Sequence, residues 1–365
     1  MKGKIEINFA GNRGSYPLGT SRRYDSEINA PMSNGFKTER ITPFAMHGGD
    51  TFCAYLRWHR PDGGIRFIGI DNGTGVSYVS REITYWLDLL QPKGEVVIDW
   101  FQTHGHLDHF AFGIAQNDIL FQSDRQIAIH FWNANLRPYS RDPYPEDETL
   151  VEHLFKDVFR PSSFPVSLAD LDAFSTTRRV FHEFPMGETL DLGDGIKVLT
   201  CPMSHKDGCL GLGIEVPGHS RITIATDNDI GENPDPRYLE LMAGPGPKYV
   251  DCQFLDEEYY GEASLPGRKK KLFLGRRPTA DGWGHSCPRH VLNALKLCDG
   301  IEDAIVVFGH HHPTRMDPAL EAMKLDIWKR AWDMGLNLKN TFTFGKDGCS
   351  YYTLAGTIPP VAVSS

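Results

Sequence analysis

The chain has 365 residues, 40% of them hydrophobic and 23% charged, which is the composition of a soluble globular protein. Its net charge of −9 argues against a protein that binds nucleic acid over its whole surface, although it leaves room for a local basic patch. The seven cysteines are odd in number and no pair has C-x-x-C spacing, so we expect reduced thiols and a cytoplasmic protein. The sequence shows neither a signal peptide nor an apolar run that could span a membrane, so we expect no membrane partner.

The first half of the sequence predicts strands and one long amphipathic helix. Apolar and β-branched runs predict strands over 5–10, 52–58, 65–70, 96–101 and 127–131, with a Pro-Asp-Gly-Gly turn joining the second and third as a hairpin. Helical spacing predicts helices over 76–90 and 108–120. Residues 16–47 predict a long loop, and residues 135–178, rich in Pro and charge, predict peripheral material with a short helix over 150–159.

The second half predicts strands again, now interleaved with helices. We predict strands over 180–184, 196–201, 210–216, 221–225, 249–255 and 304–308, and helices over 236–242, 286–298 and 317–334. Residues 341–354 alternate weakly, and we expect a frayed tail over 355–365. The pattern predicts an α+β fold, a four-layer αβ/βα sandwich. We expect one domain over 1–345, with insertions near 16–47, 135–178 and 262–281, followed by a C-terminal strand and tail over 346–365.

The loop after the predicted strand 96–101 carries the chemistry. Three imidazoles and a carboxylate fall within six residues, at His104, His106, Asp108 and His109. Imidazole and carboxylate together suit zinc, manganese or iron. The sequence therefore predicts part of a metal site.

Further ligand-type residues follow later strands. His205, Asp227 and His310 each come shortly after a β-branched run, and rigid strands are good carriers of site residues. We expect all of these side chains to meet at one edge of the two sheets. The triplet His310-His311-His312 leaves open whether His310 or His311 is the late ligand, and we favour His310 because it directly follows its strand.

The order His-x-His-x-Asp-His, then His, Asp and a late His, resembles that of the metallo-β-lactamase-fold hydrolases. Flanking motifs are similar to those of the phosphodiesterase branch, which includes cyclic-nucleotide phosphodiesterases and tRNase Z-like nucleases. They lie at residues 9–15, 48–53, 71–75, 251–253, 256–259 and 282–286. The similarity runs from about residue 4 to 345.

The resemblance implies two divalent ions, zinc foremost, with manganese or iron as alternatives. His104, His106 and His205 would hold one, and Asp108, His109 and His310 the other, with Asp227 between them. By the same resemblance His285 would face the leaving group, oriented by Asp251, and the protein would be a homodimer.

The function that this implies is hydrolysis of a small, cyclic nucleotide-like phosphodiester by a hydroxide bridging the two ions. Asp108 would aim the hydroxide, and His285 would donate a proton to the leaving alkoxide. The alternatives are an RNA-processing nuclease of the tRNase Z type, a lactonase or thioesterase on the same fold, and a non-catalytic nucleotide-binding module.

Two stretches are candidates for substrate binding. Residues 266–277 carry six basic side chains, including Arg268, Lys269, Lys270 and Lys271. They would steer a phosphate toward the site, or they form a solvated loop; the two interpretations are equally supported. His47 is a candidate to line the site, and the loop 16–47 is a candidate lid.

Overall fold

The computed structural model describes residues 3–14, 50–110, 113–160, 162–260, 283–313, 315, 317–336, 343–344, 349–354 and 361–363. Its strands are β1 (Lys4–Gly11), β2 (Cys53–His59), β3 (Ile65–Ile70), β4 (Val96–Gln102), β5 (Ile127–Ala134), β6 (Thr177–Phe184), β7 (Thr189–Asp191), β8 (Lys197–Met203), β9 (Cys209–Glu215), β10 (Ile222–Ala225), β11 (Gly246–Asp251), β12 (Ala304–Gly309), β13 (Thr343–Phe344), β14 (Cys349–Leu354) and β15 (Val361–Val363). Its α-helices are α1 (Val76–Leu90), α2 (Leu107–Phe110), α3 (Asn117–Leu120), α4 (Leu150–Val158), α5 (Leu168–Phe174), α6 (Pro236–Met242), α7 (Asp256–Tyr260), α8 (Pro288–Leu297) and α9 (Asp317–Asp333).

The strands form two sheets. The first has the order β15-β14-β1-β2-β3-β4-β5-β6 and the second the order β13-β12-β11-β10-β9-β8-β7. In the first sheet β3, β4, β5 and β6 run parallel, and in the second β10, β11, β12 and β13 do so. Because neighbouring parallel strands end at the same edge, loops that follow them lie side by side.

The two sheets pack face to face with helices on both outer faces. In β2, Ala54, Leu56 and Trp58 face the second sheet, while Cys53 and Tyr55 face helix α1, as the two-residue period of a strand requires. Helices α6, α8 and α9 cover the outer face of the second sheet. The predicted αβ/βα sandwich is confirmed. No helix in the described ranges is long and apolar enough to cross a membrane.

The predicted helix over 108–120 is wrong as a single element. The chain forms α2, a 3₁₀ turn at Gly113–Ala115 and α3. The carbonyl of His109 accepts from the backbone N–H of Asn72 (2.6 Å) and from Nε2 of Gln102 (3.0 Å). Both lone pairs of that carbonyl are therefore occupied, and it cannot accept the next bond of a continuous helix.

Three further expectations change. The segment 135–178, expected to be peripheral, buries Phe155, Phe159 and Leu171 against the first sheet. The expected frayed tail contains β15, which pairs with β14, and β14 in turn pairs with β1 over six positions. The first sheet thus extends beyond residue 345. The strand predicted over 249–255 lies at 246–251 instead, and α5 was not predicted.

Candidate metal centre

The predicted metal-ligand residues meet where strands of both sheets end. β4 leads into the loop that carries His104, His106, Asp108 and His109. The second sheet delivers the others, since His205 follows β8, Asp227 follows β10 and His310 follows β12. Their ligand-type atoms form two groups, each with all atoms within 4.8 Å of one another.

The first cluster consists of His104, His106, His205 and Asp227. Nε2 of His205 lies 3.0 Å from Nδ1 of His106. Oδ2 of Asp227 lies 3.6 Å from Nε2 of His104 and 3.6 Å from Nε2 of His205. His106 therefore presents its Nδ1 to the cluster, whereas the other two imidazoles present Nε2.

The second cluster consists of Asp108, His109, Asp227 and His310. Here Oδ1 of Asp227 lies 3.0 Å from Nε2 of His109 and 3.2 Å from Nε2 of His310. Oδ2 of Asp108 lies 3.2 Å from the same atom of His310. Asp227 thus turns one oxygen to each cluster and joins the two.

These distances fit a shared metal ion. Two ligand atoms held tetrahedrally about 2.0–2.1 Å from zinc lie about 3.3 Å apart, and the separations above are 3.0–3.6 Å. Nε2 of His104, in a side chain that is 1% exposed, has no hydrogen-bond partner among the described residues. A buried imidazole nitrogen with that surrounding is well suited to coordinate an ion.

Neighbouring groups fix which nitrogen of each imidazole faces the clusters. Nδ1 of His109 donates to Asp71 (2.7 Å), and Nδ1 of His205 donates to the carbonyl of Gly284 (2.9 Å). The hydroxyl of Thr103 donates to Asp71 (2.7 Å), so it accepts from Nδ1 of His104 (3.0 Å). Each Nδ1 proton is therefore held outside the clusters, which leaves Nε2 as the nitrogen that faces inward, as in metal-ligating histidines.

Asp71 is a functional residue that the sequence reasoning missed. It is 0% exposed, and besides His109 it accepts from the backbone N–H of Thr103 (2.7 Å). It lies just after β3, the parallel neighbour of β4. The signal in the sequence was there, because an Asp directly after a strand beside the His-rich loop is placed to support that loop.

Gln102 and Asn72 hold the His-rich loop in shape. Nε2 of Gln102 donates to the carbonyls of His104 (2.7 Å) and His109 (3.0 Å), and so joins the two ends of the loop. Its Oε1 accepts from Nδ2 of Asn72 (2.9 Å), whose Oδ1 accepts from Gln116. This buried chain of amides explains why a large polar residue occupies position 72.

The electrostatics favour neutral imidazoles in the first cluster. Burial lowers the pKa of His205 to about 4 and lowers the pKa of His104 well below its ordinary value. Burial also lowers the pKa of His106. At neutral pH these three imidazoles are therefore uncharged, and each has one nitrogen with a lone pair.

The second cluster has the opposite balance. Burial opposes a charge on His109 and His310, yet Asp227 and Asp108 raise the pKa of both. Burial opposes ionisation of Asp227 and Asp108 as well, but the facing histidines hold the pKa of each carboxyl below its ordinary range. The cluster therefore attracts positive charge, and a divalent ion would displace the imidazole protons.

His285 and Asp251 form a pair beside the second cluster. Nδ1 of His285 lies 2.6 Å from Oδ2 of Asp251, and the His285 ring stacks on His310 with centroids 4.7 Å apart. Asp251 also accepts from the backbone N–H groups of Asn228 (3.1 Å) and Gln253 (3.1 Å). Asp251 therefore contacts His285 through Nδ1 of its ring, which leaves Nε2 on the other side of the imidazole.

Three residues of the site have left-handed backbone. Asp71, Asp227 and His310 have φ values of 57°, 46° and 54°. Few non-glycine residues adopt this region, Asp and His more often than most, and such residues are frequent at functional sites. The turn after each strand is therefore built to aim a side chain.

Of the other predicted site residues, one is in a cluster, one is not, and the rest lie outside the described residues. His310 belongs to the second cluster, whereas the backbone N–H of His311 donates to the carbonyl of Asn12 and its ring belongs to neither cluster of the described residues. The candidate substrate-binding side chains lie outside the described residues. They are His47, Arg268, Lys269, Lys270 and Lys271.

Comparison with known proteins gives matches by structure and none by sequence. No family model matches the sequence, and no curated protein matches it. The structure is similar to that of the metallo-beta-lactamase fold protein YhfI from Bacillus subtilis, with 11% identity, a TM-score of 0.52 and coverage of 96% of this chain and 100% of that chain. It is also similar to unliganded yeast PDE1, with 14% identity, a TM-score of 0.54 and coverage of 96% and 99%.

Proposed function

We propose that this chain, which has the metallo-β-lactamase fold, is a metal-dependent hydrolase that cleaves a small, cyclic nucleotide-like phosphodiester. One arrangement carries the proposal. Two donor clusters share Asp227, and the His285–Asp251 pair lies beside them. A pair of ion sites with an adjacent imidazole suits the in-line displacement of an alcohol from phosphorus.

The residues divide into two binding sets. His104, His106 and His205 would hold one ion, Asp108, His109 and His310 the other, and Asp227 both. Mixed imidazole and carboxylate donors favour zinc, with manganese or iron as alternatives. Bound divalent ions lower the pKa of a water ligand and offset the negative charge on phosphoryl oxygens.

His285 is suited to protonate the leaving group. Its Nδ1 is held by Asp251, so its Nε2 is the nitrogen left for the substrate. The stacked His310 ring fixes the plane of the imidazole. An alkoxide is a poor leaving group, and a proton delivered at that atom stabilises it in the transition state.

Asp108 is suited to orient the attacking water. It is 8% exposed, and its Oδ2 lies 3.2 Å from Nε2 of His310. Its low pKa keeps the carboxylate ionised at neutral pH. An ionised carboxylate accepts a hydrogen bond from water and so fixes the direction of attack.

The test is an assay of the protein loaded with zinc or with manganese. Substrates are cyclic nucleotides, bis(p-nitrophenyl) phosphate, a lactone, a thioester and a precursor tRNA. We expect turnover of the small phosphodiesters. Turnover of the lactone or thioester alone would replace the proposal with the non-phosphate hydrolase, and turnover of the tRNA alone would replace it with the nuclease.

A variant tests the role of His285. We expect His285→Ala to keep both ions and to lose about 10²–10⁴-fold in kcat, the usual contribution of general acid catalysis. His219→Ala is the matched control, because His219 follows β9 and precedes β10, at the end of β10 opposite to Asp227. A metal-loaded His285→Ala protein with wild-type kcat would remove His285 from the mechanism.

A further inference from the structure

A cavity of about 430 Å³ adjoins the first cluster. His104, Gly105 and His106 form one wall, and the opposite wall comes from helix α4 and the turn before it. This is the segment 135–178, which the sequence led us to place at the periphery. The volume of the cavity lies within the range of pockets that bind small organic ligands, about 300–1,000 Å³.

The wall opposite the histidines is mainly apolar. It contains Leu136, Leu150, Leu154 and Tyr144. The hydroxyl of Tyr144 donates to Glu183 (2.6 Å) and accepts from the backbone N–H of Leu136 (3.3 Å). Since that hydroxyl is already bonded and the Arg137 guanidinium lies 4.0 Å from the ring centroid, Tyr144 contributes apolar ring surface to the wall rather than a hydrogen-bond donor.

The charged side chains of the lining leave it with an acidic balance. Arg141 binds Asp207 through Nε (2.9 Å) and Nη2 (2.8 Å), and its backbone N–H binds the same carboxylate (2.9 Å). These bonds fasten the turn that carries Arg141 to the loop after His205. Asp142 and Asp157 add two more carboxylates to the lining. A second phosphate is disfavoured here, whereas an uncharged ring with hydroxyl or amine donors is favoured.

The cavity borders the first cluster through His104 and His106. Within the described part of the chain its lining includes His104 and His106 but neither His285 nor His310. If His285 protonates the leaving oxygen, the ester group that stays on phosphorus points toward the cavity.

We infer that this cavity binds the retained ester group of the substrate, an uncharged, ring-bearing alcohol of nucleoside type, and that α4 sets this preference through Leu154 and Asp157. The inference rests on the proposed function. It places substrate selection in the segment 135–178, at the organic group whose ester oxygen stays on phosphorus, and in a cyclic substrate that group is the nucleoside itself.

The experiment holds the leaving group constant and changes only the retained group. Thymidine 5′-(p-nitrophenyl phosphate) and methyl p-nitrophenyl phosphate both release p-nitrophenol and both carry one negative charge. We expect the wild type to prefer the thymidine ester. Asp157→Trp at the exposed rim and Leu154→Trp on the inner wall should each lower the ratio of the two kcat/KM values about tenfold or more.

Lys156→Trp is the matched control. Lys156 is on α4 between these positions but is not part of the lining, and its ammonium pairs with Glu148 (2.9 Å) and Glu152 (3.0 Å) in solvent. The control should keep the wild-type ratio. Leu154 packs partly against the core, so Asp157→Trp, whose side chain is 57% exposed, keeps the test informative if Leu154→Trp does not fold.

An unchanged ratio in Asp157→Trp would overturn the inference, while turnover of cyclic nucleotides by the wild type would still uphold the proposed function. If the metal-loaded wild type cleaves neither ester, turnover of the cyclic nucleotides decides the proposed function. The cavity is then tested by calorimetric titration with the thymidine ester. Binding that Asp157→Trp weakens and Lys156→Trp does not would uphold the cavity, and binding that neither variant changes would overturn it.

Discussion

Replacing Asp71 with Asn should weaken the binding of the ion in the second cluster. Both oxygens of Asp71 accept hydrogen bonds, with Oδ2 at 2.7 Å from Nδ1 of His109 and 2.7 Å from the Thr103 hydroxyl. An amide nitrogen in place of Oδ2 would face two donors. His109 can relieve this conflict by moving its proton to Nε2, the atom that lies 3.0 Å from Oδ1 of Asp227 in the second cluster. A protonated Nε2 cannot bind an ion.

The magnitude follows from the number of bonds affected. Loss of a carboxylate that orients a ligating histidine weakens ion binding by about 10–100-fold. That factor corresponds to roughly 1.4–2.8 kcal/mol, close to the roughly 1.5–3 kcal/mol of one hydrogen bond to a charged group. We expect the dissociation constant of the second ion to rise by this factor. The first ion should change less, because only Thr103 connects Asp71 to His104.

The assay is a zinc titration of the metal-free protein against a competing chelator, which resolves the two binding steps. Asp99→Asn is the matched control. Asp99 is also a buried carboxylate, 2% exposed, but it accepts from Arg66 (2.7 Å) and Trp132 (3.0 Å) rather than from a site residue. Wild-type affinity for both ions in Asp71→Asn would refute the reasoning, as would an equal loss in the control.

Three further predictions concern single residues. His106→Ala removes one donor of the first cluster and should lose that ion, which elemental analysis of the purified protein would show; two ions retained would contradict it. Gly284→Ala puts a Cβ 2.2 Å from Nδ1 of His205 at a φ of 78°, so the first ion should bind about tenfold or more weakly in the chelator titration, and wild-type affinity would count against it. Lys248→Met should raise the free energy of unfolding by about 2 kcal/mol at pH 7. Burial lowers the pKa of Lys248 to about 7, which costs the wild type about 4 kcal/mol of stability at pH 7. The variant avoids that cost but loses the hydrogen bonds of Lys248 to Thr223 and Ala243, which contribute about 2 kcal/mol. The unfolded lysine keeps its proton up to about pH 10, so raising the pH above 7 stabilises the wild type but not Lys248→Met. Denaturant titrations should therefore show the stability gain of the variant vanish by about pH 9.5. A gain independent of pH would contradict the lowered pKa of Lys248 as its cause.

The sequence indicates which side chains lie together at the site because each of them directly follows a strand. A β-branched run followed by His or Asp places a ligand at a strand end, and parallel strands bring those ends together. The donors His205, Asp227 and His310 could therefore be named although 101 to 206 positions separate them from His104. Zinc, the homodimer and the cytoplasmic location stay predictions.

The support around the clusters could not be predicted in the same way. Asp71 acts on His109 through a contact that exists only once β3 and β4 are paired. The helix breaks after α2 because the carbonyl of His109 accepts hydrogen bonds from Asn72 and Gln102. The spacing of apolar residues does not indicate those bonds. Composition likewise made the segment 135–178 look peripheral, whereas its apolar residues are divided between the core and the cavity wall.

The division of the donors between the two sheets has a consequence for biosynthesis. The first sheet supplies four of the donors by residue 109, but His310 follows β12, about 200 residues later. A nascent chain therefore cannot hold both ions until most of it has left the ribosome and the sheets have docked. Ion uptake would then act as a final check on folding, and a chain truncated before residue 310 would be released without the second ion.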